Sequence, residues 1–453
     1  MNPSLYQTLA WLALLPIILL AYLFGGSSTE GLELRLITNG ASAFLLVLLL
    51  MTAPRSQIEA FSRPLAAFFL MLFIILGLQV LPLPPSLWAA LPFRETVVAE
   101  LSYFERDLPW LPLSMTPGKT LIMMSELMPA LLAAFVAVGL DQKRFIWLLG
   151  ALLIISLISA LWGFLQVLIP SNFGDYLWRV RSGGTPSGAY ANINHQATHM
   201  LLSMPILALW VISLKRSSGL PDAFLHILGL SAFFIFFICL IAAGSVAGYI
   251  LGAVAVLGTI WIYARKVREP PRRFRSQAVM PLLGGGCLAA IIVIIFTSPK
   301  LSGLGVTSIE NTPLSRLGIN ELSLTILADQ WFWGTGAGSF SQVYASYEAP
   351  ELASFKYVNH AHNEFFEIFI EYGILPIGLL TLIGLYAVWR GFRKSCMTST
   401  SQYAMMLVVL LAALNSFIDY PLRSQFLLIT VIICAARLCP TVETRFASAD
   451  RTG

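Results

Sequence analysis

Long apolar runs almost free of charge recur from one end of this chain to the other. They fall near 8–24, 36–53, 64–83, 119–138, 144–168, 193–213, 222–241, 243–264, 278–298, 363–389, 403–418 and 425–438. A run of about 20 residues crosses the hydrocarbon core of a bilayer as one α-helix. Inside lipid every backbone N–H and C=O has to be satisfied internally, so only helices and closed barrels span it. These runs are apolar on every face rather than alternating, which excludes a barrel. Composition agrees. Of 453 residues, 57% are hydrophobic and 11% charged, against about 25% charged in a typical soluble protein. The mean hydropathy is +0.78. The expected fold is an all-α polytopic membrane protein of about twelve transmembrane helices, with 1–453 forming a single transmembrane domain. The first run lacks a basic flank and a small-residue cleavage site, so it reads as a retained span. The chain shows no internal repeat.

Lysine and arginine orient the spans, because cytoplasmic connections collect them. With the N-terminus inside, the short inner connections hold Arg55, Arg63, Lys143, Arg144, Lys215 and Arg216. They also hold Arg265, Lys266, Arg268, Arg272, Arg273, Arg275, Arg390, Arg393 and Lys394, and the tail adds Arg437, Arg445 and Arg451. The basic stretch at 265–275 could pass for a nucleic-acid-binding tail. Set between two spans, it reads instead as a positive-inside signal. Both termini are therefore expected in the cytoplasm, and no nucleic acid is expected as a partner. Three loops remain outside: 84–118, 169–192 and 299–362. The last is longer than a connector needs and rich in aromatic residues, which argues for order and function. Cys239, Cys287, Cys396, Cys434 and Cys439 fall in spans or on the inner side, so no exterior disulfide and no zinc spacing is available.

Several motifs fail on inspection. Gly118-Lys119-Thr120 ends like a nucleotide-binding loop, but Leu113 stands where the first glycine is required. The run Gly334-Thr335-Gly336-Ala337-Gly338 follows a helical pattern rather than a strand, and reads as a tight turn back to the membrane. The seven aspartates are never two residues apart, so no DxD supports a metal-dependent nucleotide-sugar transferase, and no HExxH exists.

Three constellations survive. Asn359-His360-Ala361-His362-Asn363 precedes Glu364, Glu367 and Glu371, which share one helix face, where the third loop re-enters the membrane. It is either a polar helix cap with snorkelling carboxylates or a general base held by neighbouring acids. Before it, 313–333 reads as a surface helix. Pro313 takes its first position, and Ile319, Leu322, Ile326 and Leu327 form an apolar stripe. Arg316 lies off that stripe, as a solvated or a catalytic residue. In the second loop Arg179 and Arg181 stand beside a glycine-rich turn before Asn192, Asn194 and His195, and would either grip phosphate or anchor at the interface. Glu126 and His199 sit at hydrocarbon depth, facing a wet cavity or pairing with neighbours. Trp331, Trp333, Tyr344, Tyr347 and Tyr357 suit an interfacial belt or sugar stacking.

These stretches, taken in order, resemble the O-antigen ligase and O-antigen polymerase superfamily of bacterial inner-membrane glycosyltransferases. The resemblance is carried by QVLPLPP at 79–85, GAYANINHQA at 188–197, Arg316 ahead of WFWGTGAGSF at 331–340, HAHNEFFEIFIEYGILPIG at 360–378 and DYPLR at 419–423. It implies a metal-independent, GT-C-like membrane glycosyltransferase without cofactor, with its active site facing the periplasm. The implied donor is a glycan on undecaprenyl diphosphate. The acceptor would be another glycan or lipid A-core, with a flippase and a chain-length protein as further partners. Residue by residue, the family's periplasmic histidine matches the His360/His362 pair and one family arginine matches Arg316. A second family arginine has Val246 in its place, within Gly244-Ser245-Val246-Ala247-Gly248, so Arg179, Arg181 or Arg423 would substitute.

The catalytic expectation is thus His362 as base, oriented by His360 or Glu367, with Arg316 countering charge on the leaving diphosphate. Arg179, Arg181, Arg423, Asn194, His195, Asn363, Glu367 and Glu371 are expected to bind the diphosphate or glycan. The LPLPP loop and the DYPLR turn favour a polymerase of a surface polysaccharide. A ligase to lipid A-core and protein O-glycosylation are the alternatives, and a flippase or transporter is the alternative of another class.

Overall fold

The structure, a computed structural model, describes residues 2–26, 31–61, 63–103, 107–169, 185–217, 219–266, 286, 316–349, 358–378 and 400–438. Among these, seven helices are long and apolar enough to cross a membrane: Pro3–Phe24, Leu32–Thr52, Pro117–Gly139, Gln142–Leu168, Ile193–Lys215, Asp222–Ala242 and Val246–Arg265. Leu65–Val80, Thr400–Asn415 and Gln425–Leu438 are shorter apolar helices. The chain is a multi-pass membrane protein. Ten of the twelve expected segments are thus helical within the described residues. The segment at 278–298 lies almost wholly outside them, and that at 363–389 enters them only as far as 378, with the short helix Glu364–Tyr372 at its start.

Helix Ile193–Ser217 is the hub, packing on Gln142–Leu168, Asp222–Ala242, Val246–Lys266 and Thr400–Asn415. It carries more polar side chains than its neighbours, and their needs are met inside the bundle. His199 Nε2 lies 2.9 Å from Ser156 Oγ and its Nδ1 3.1 Å from the Tyr190 hydroxyl, while Ser159 Oγ donates to Gln196 Oε1. A buried polar group in lipid is tolerable when bonded in this way. His199 therefore pairs with neighbours, as does Glu126, whose Oε1 sits 3.1 Å from Arg35 Nη1. Arg35 stands directly ahead of the apolar run at 36–53. The helix in fact begins at Leu32, and the partner on Pro117–Gly139 admits the arginine into its first turn.

At one end of the bundle the loops fold onto one another. Pro82–Leu83 pairs antiparallel with Leu111–Pro112, Pro82 opposite Pro112 and Leu83 opposite Leu111. Arg94 fastens this ribbon by donating to the carbonyls of Pro112 and Leu113. The expected surface helix is present as Arg316–Gln330; Pro313 lies outside the described residues. Ile319 and Ile326 are buried, with Leu322 and Leu327 packed against them, in a small second core shared with Phe340, Val343, Tyr344 and Ile370. This core carries the end of the molecule where the polar residues gather.

Candidate active site at one end of the bundle

Asn363 starts helix Glu364–Tyr372 by accepting hydrogen bonds from the N–H groups of Phe365 (3.1 Å) and Phe366 (3.2 Å). Such a cap satisfies two of the four amides a helix N-terminus leaves unpaired. The i, i+3, i+7 spacing then turns Glu364, Glu367 and Glu371 together toward the interior, and all three are buried. Each has a built partner. Ser416 Oγ donates to Glu364 Oε2 at 2.7 Å. Glu367 accepts from His360 Nδ1 (2.8 Å) and from the Ala361 N–H (3.2 Å). Glu371 accepts from the Gly338 N–H at 2.9 Å. Arg423 Nη2 bridges the last two acids, 3.2 Å from Glu367 and 3.0 Å from Glu371. Burial works against the Arg423 charge, but these two carboxylates raise its proton affinity well above the ordinary guanidinium range.

The glycine-rich stretch is a turn, and its amides are spent. Thr335 N–H donates to Ile370 O, Gly336 N–H to Glu371 O, Ala337 N–H to Gln79 Oε1 and Gly338 N–H to Glu371 Oε1. A phosphate cradle would need those donors free. Gly336 has a φ of +98°, and a β-carbon there would stand 2.2 Å from Ser114 Oγ, so no other residue fits.

A second cluster forms where Thr400–Asn415 turns into Gln425–Leu438. Asp419 is almost fully enclosed, yet two cationic or basic groups face it: Arg316 Nη2 lies 3.4 Å from Oδ2 and His362 Nδ1 3.4 Å from Oδ1. Burial alone would raise this carboxyl. The facing His362, with His195 and Arg316, outweighs it and holds Asp419 below the usual carboxylate range. Arg316 stays nearly half exposed, so it is the cation of this cluster with freedom to meet an anion. His362 carries a φ of +50°, a left-handed backbone that a non-glycine residue rarely adopts. Strained residues of this kind concentrate at functional sites.

Tyr420 lies between the two clusters. Its ring stacks on His360 with centroids 4.0 Å apart at 30°, and stands 5.3 Å from His362 and 5.0 Å from His195. Asn192 Nδ2 donates to its hydroxyl at 3.2 Å.

The structure brings His360, His362, Arg316, Glu367, Glu371 and Arg423 to one place. It also revises several roles. Glu367 holds His360 and not His362, whose carboxylate is Asp419. Asn363 is a helix cap. Glu367, Glu371 and Arg423 are occupied by one another, so they hold the site together from beneath rather than offering free groups to a ligand. His195 is fully enclosed against Tyr420 and Tyr190. Asn194 is half-buried at the start of its helix, where its N–H donates to Asn192 Oδ1. Arg179 and Arg181 lie outside the described residues. Asp419 and Gln79 were missed as site residues, although both stand in stretches that carry the resemblance. An acid placed between two apolar helices is a usable signal, because it is costly there without a cationic partner.

Residues 231–381 match the family model described as O-Antigen ligase. That span, about a third of the chain, contains Arg316, His360, His362 and the three glutamates, and the match supports the resemblance to the O-antigen ligase/polymerase superfamily. No curated protein and no solved structure matches the chain.

Proposed function

We propose that the protein is a glycosyltransferase that moves a glycan from undecaprenyl diphosphate to a sugar hydroxyl, elongating a surface polysaccharide. The observation that carries this reading is the gathering of His360, His362 and Arg316, all three inside the matched region, around buried carboxylates at one end of an apolar bundle. We place that end at the periplasmic face of the inner membrane and both termini in the cytoplasm. The reaction forms a bond between the acceptor oxygen and the anomeric carbon while the bond to the diphosphate oxygen breaks. The acceptor proton has to leave, and the diphosphate gains a charge. A histidine of the pair takes the proton, a contribution of about 10²–10⁴ in rate. Arg316 faces the developing charge, where a preorganised donor is worth about 10²–10³.

A transporter places broken helices and charge at mid-membrane, whereas the polar residues here concentrate at one end. The test is purified protein in liposomes with lipid-linked oligosaccharide. Longer lipid-linked chains support polymerisation. Transfer to added lipid A-core supports a ligase instead, and movement of lipid without new glycosidic bonds ends the enzyme reading.

A further inference from the structure

Trp331, Phe332 and Trp333 follow helix Arg316–Gln330 directly, and each is nearly half exposed: 49%, 46% and 49%. Their rings meet edge to face, Trp331 with Phe332 at 5.5 Å and Phe332 with Trp333 at 5.0 Å, forming one block. Contiguous apolar surface left open in this way marks a contact with a membrane or a partner. Hydrogen bonds to the ends of apolar helices fix the height of the block. Phe332 O accepts from the Ile374 N–H at 3.1 Å. Ile374, Leu375 and Ile377, where the chain turns back into an apolar run, are exposed too. Two residues beyond the block, Thr335 O accepts from the Met115 N–H at 2.9 Å, just ahead of the spanning helix Pro117–Gly139. In the first turn of that helix Thr120 Oγ1 donates to Ala337 O at 2.9 Å. Gln79, at the end of Leu65–Val80, accepts from the Ala337 N–H at 2.9 Å.

An apolar spanning helix ends where hydrocarbon gives way to headgroups. The block therefore stands at that boundary, continuous with the apolar surface that begins at Ile374. There an indole gains on both counts, its rings in apolar surroundings and its N–H among polar groups. A sugar or a protein partner would meet the block from the water side and would not account for its height. We propose that Trp331, Phe332 and Trp333 are seated in the headgroup layer of the bilayer, and that they anchor the adjoining end of helix Arg316–Gln330 to it. The other end of that helix reaches Asp419 through Arg316, in the turn between Thr400–Asn415 and Gln425–Leu438. Both ends are thus fixed at the level of helix ends, and the helix, about 22 Å long, lies along the membrane surface. This seat does not depend on the reaction that the site carries out.

The test uses the full chain in vesicles of phosphatidylethanolamine and phosphatidylglycerol. Trp331→Phe/Trp333→Phe keeps apolar rings and removes two indoles, so wild-type emission minus that of the variant reports these two alone. The difference emission is expected at short wavelength. Lipids brominated near the carbonyls should quench it more than lipids brominated near the chain ends. A difference spectrum at long wavelength that iodide quenches, or one that shifts only when lipid-linked oligosaccharide is added, places the rings in water or on sugar and overturns the seat. Stronger quenching by the deeper bromine overturns it too, since the rings then lie within the span. Trp331→Ser/Trp333→Ser tests the anchor. Amide exchange over 316–330 should rise about tenfold or more, while that of Ile193–Ser217 stays as in the wild type. The phenylalanine variant should keep the wild-type protection. Unchanged exchange in the serine variant overturns the anchor, because the helix is then held by protein contacts alone.

Discussion

Arg423 and Glu371 stand 3.0 Å apart at the base of the site, and they join the turn at 419–424 to the helix that follows the histidines. Removing one member of such a buried pair leaves an uncompensated charge, typically at a cost of about 3–5 kcal/mol. Arg423→Met is therefore expected to lower the unfolding midpoint in detergent sharply. Pairing it with Glu371→Gln should recover part of the loss, because one of the two stranded carboxylates is then neutral. Thermal unfolding of the two variants side by side checks this, and equal midpoints would show that Glu371 does not depend on Arg423.

Little of that pairing was legible in the sequence, although much of the frame was. The apolar runs located the helices because a bilayer fixes both their length and their lack of charge. The stripe of Ile319 and Ile326, the turn at Gly334–Gly338 and the HAHN stretch stood out for equally local reasons. What stayed hidden is which residue meets which. Gln79 donates to Glu371 O and accepts from Ala337 N–H across most of the chain. Asp419 reaches His362 only because two helices bring a turn beside a loop. Such pairings follow from tertiary packing, which carries no period. Arg35 shows the same limit: it stands just ahead of the apolar run at 36–53, and the helix that begins at Leu32 takes it in beside its partner Glu126.

Gly336→Ala should damage the site without touching a polar group. Its φ of +98° and the 2.2 Å approach to Ser114 Oγ leave no room for a methyl. Left-handed backbone costs a non-glycine residue roughly 1–2 kcal/mol, and the clash adds to it. The turn would shift from Glu371, so transfer activity should fall together with thermal stability. An active variant of normal stability would mean that the turn does not fix the site.

His362 offers the opposite separation of stability from activity. At φ +50° glycine fits without strain, and its greater freedom in the unfolded chain costs only about 0.5–1 kcal/mol. His362→Gly should unfold below the wild type by this amount and by the loss of the Asp419 contact, while glycan transfer is lost. His362→Val should be less stable by about 1–2 kcal/mol, since a β-branched residue resists that backbone. If the valine variant proves the more stable, the left-handed conformation is not what the protein holds.

Asp419 gives a pH signature. Its carboxyl is held below its ordinary value, against burial, by the facing His362 with His195 and Arg316. The unfolded chain then binds this proton more readily than the folded one. The resulting stabilisation is complete above the unfolded value of about 3.9 and is lost as pH falls through the lower folded value. Asp419→Asn should be less stable than the wild type near neutral pH, and the gap should narrow in acid below about pH 4. Unfolding midpoints of both proteins across that range decide the matter. A gap constant from neutral pH into acid would mean that Asp419 contributes through packing, with no net gain from the charges around it.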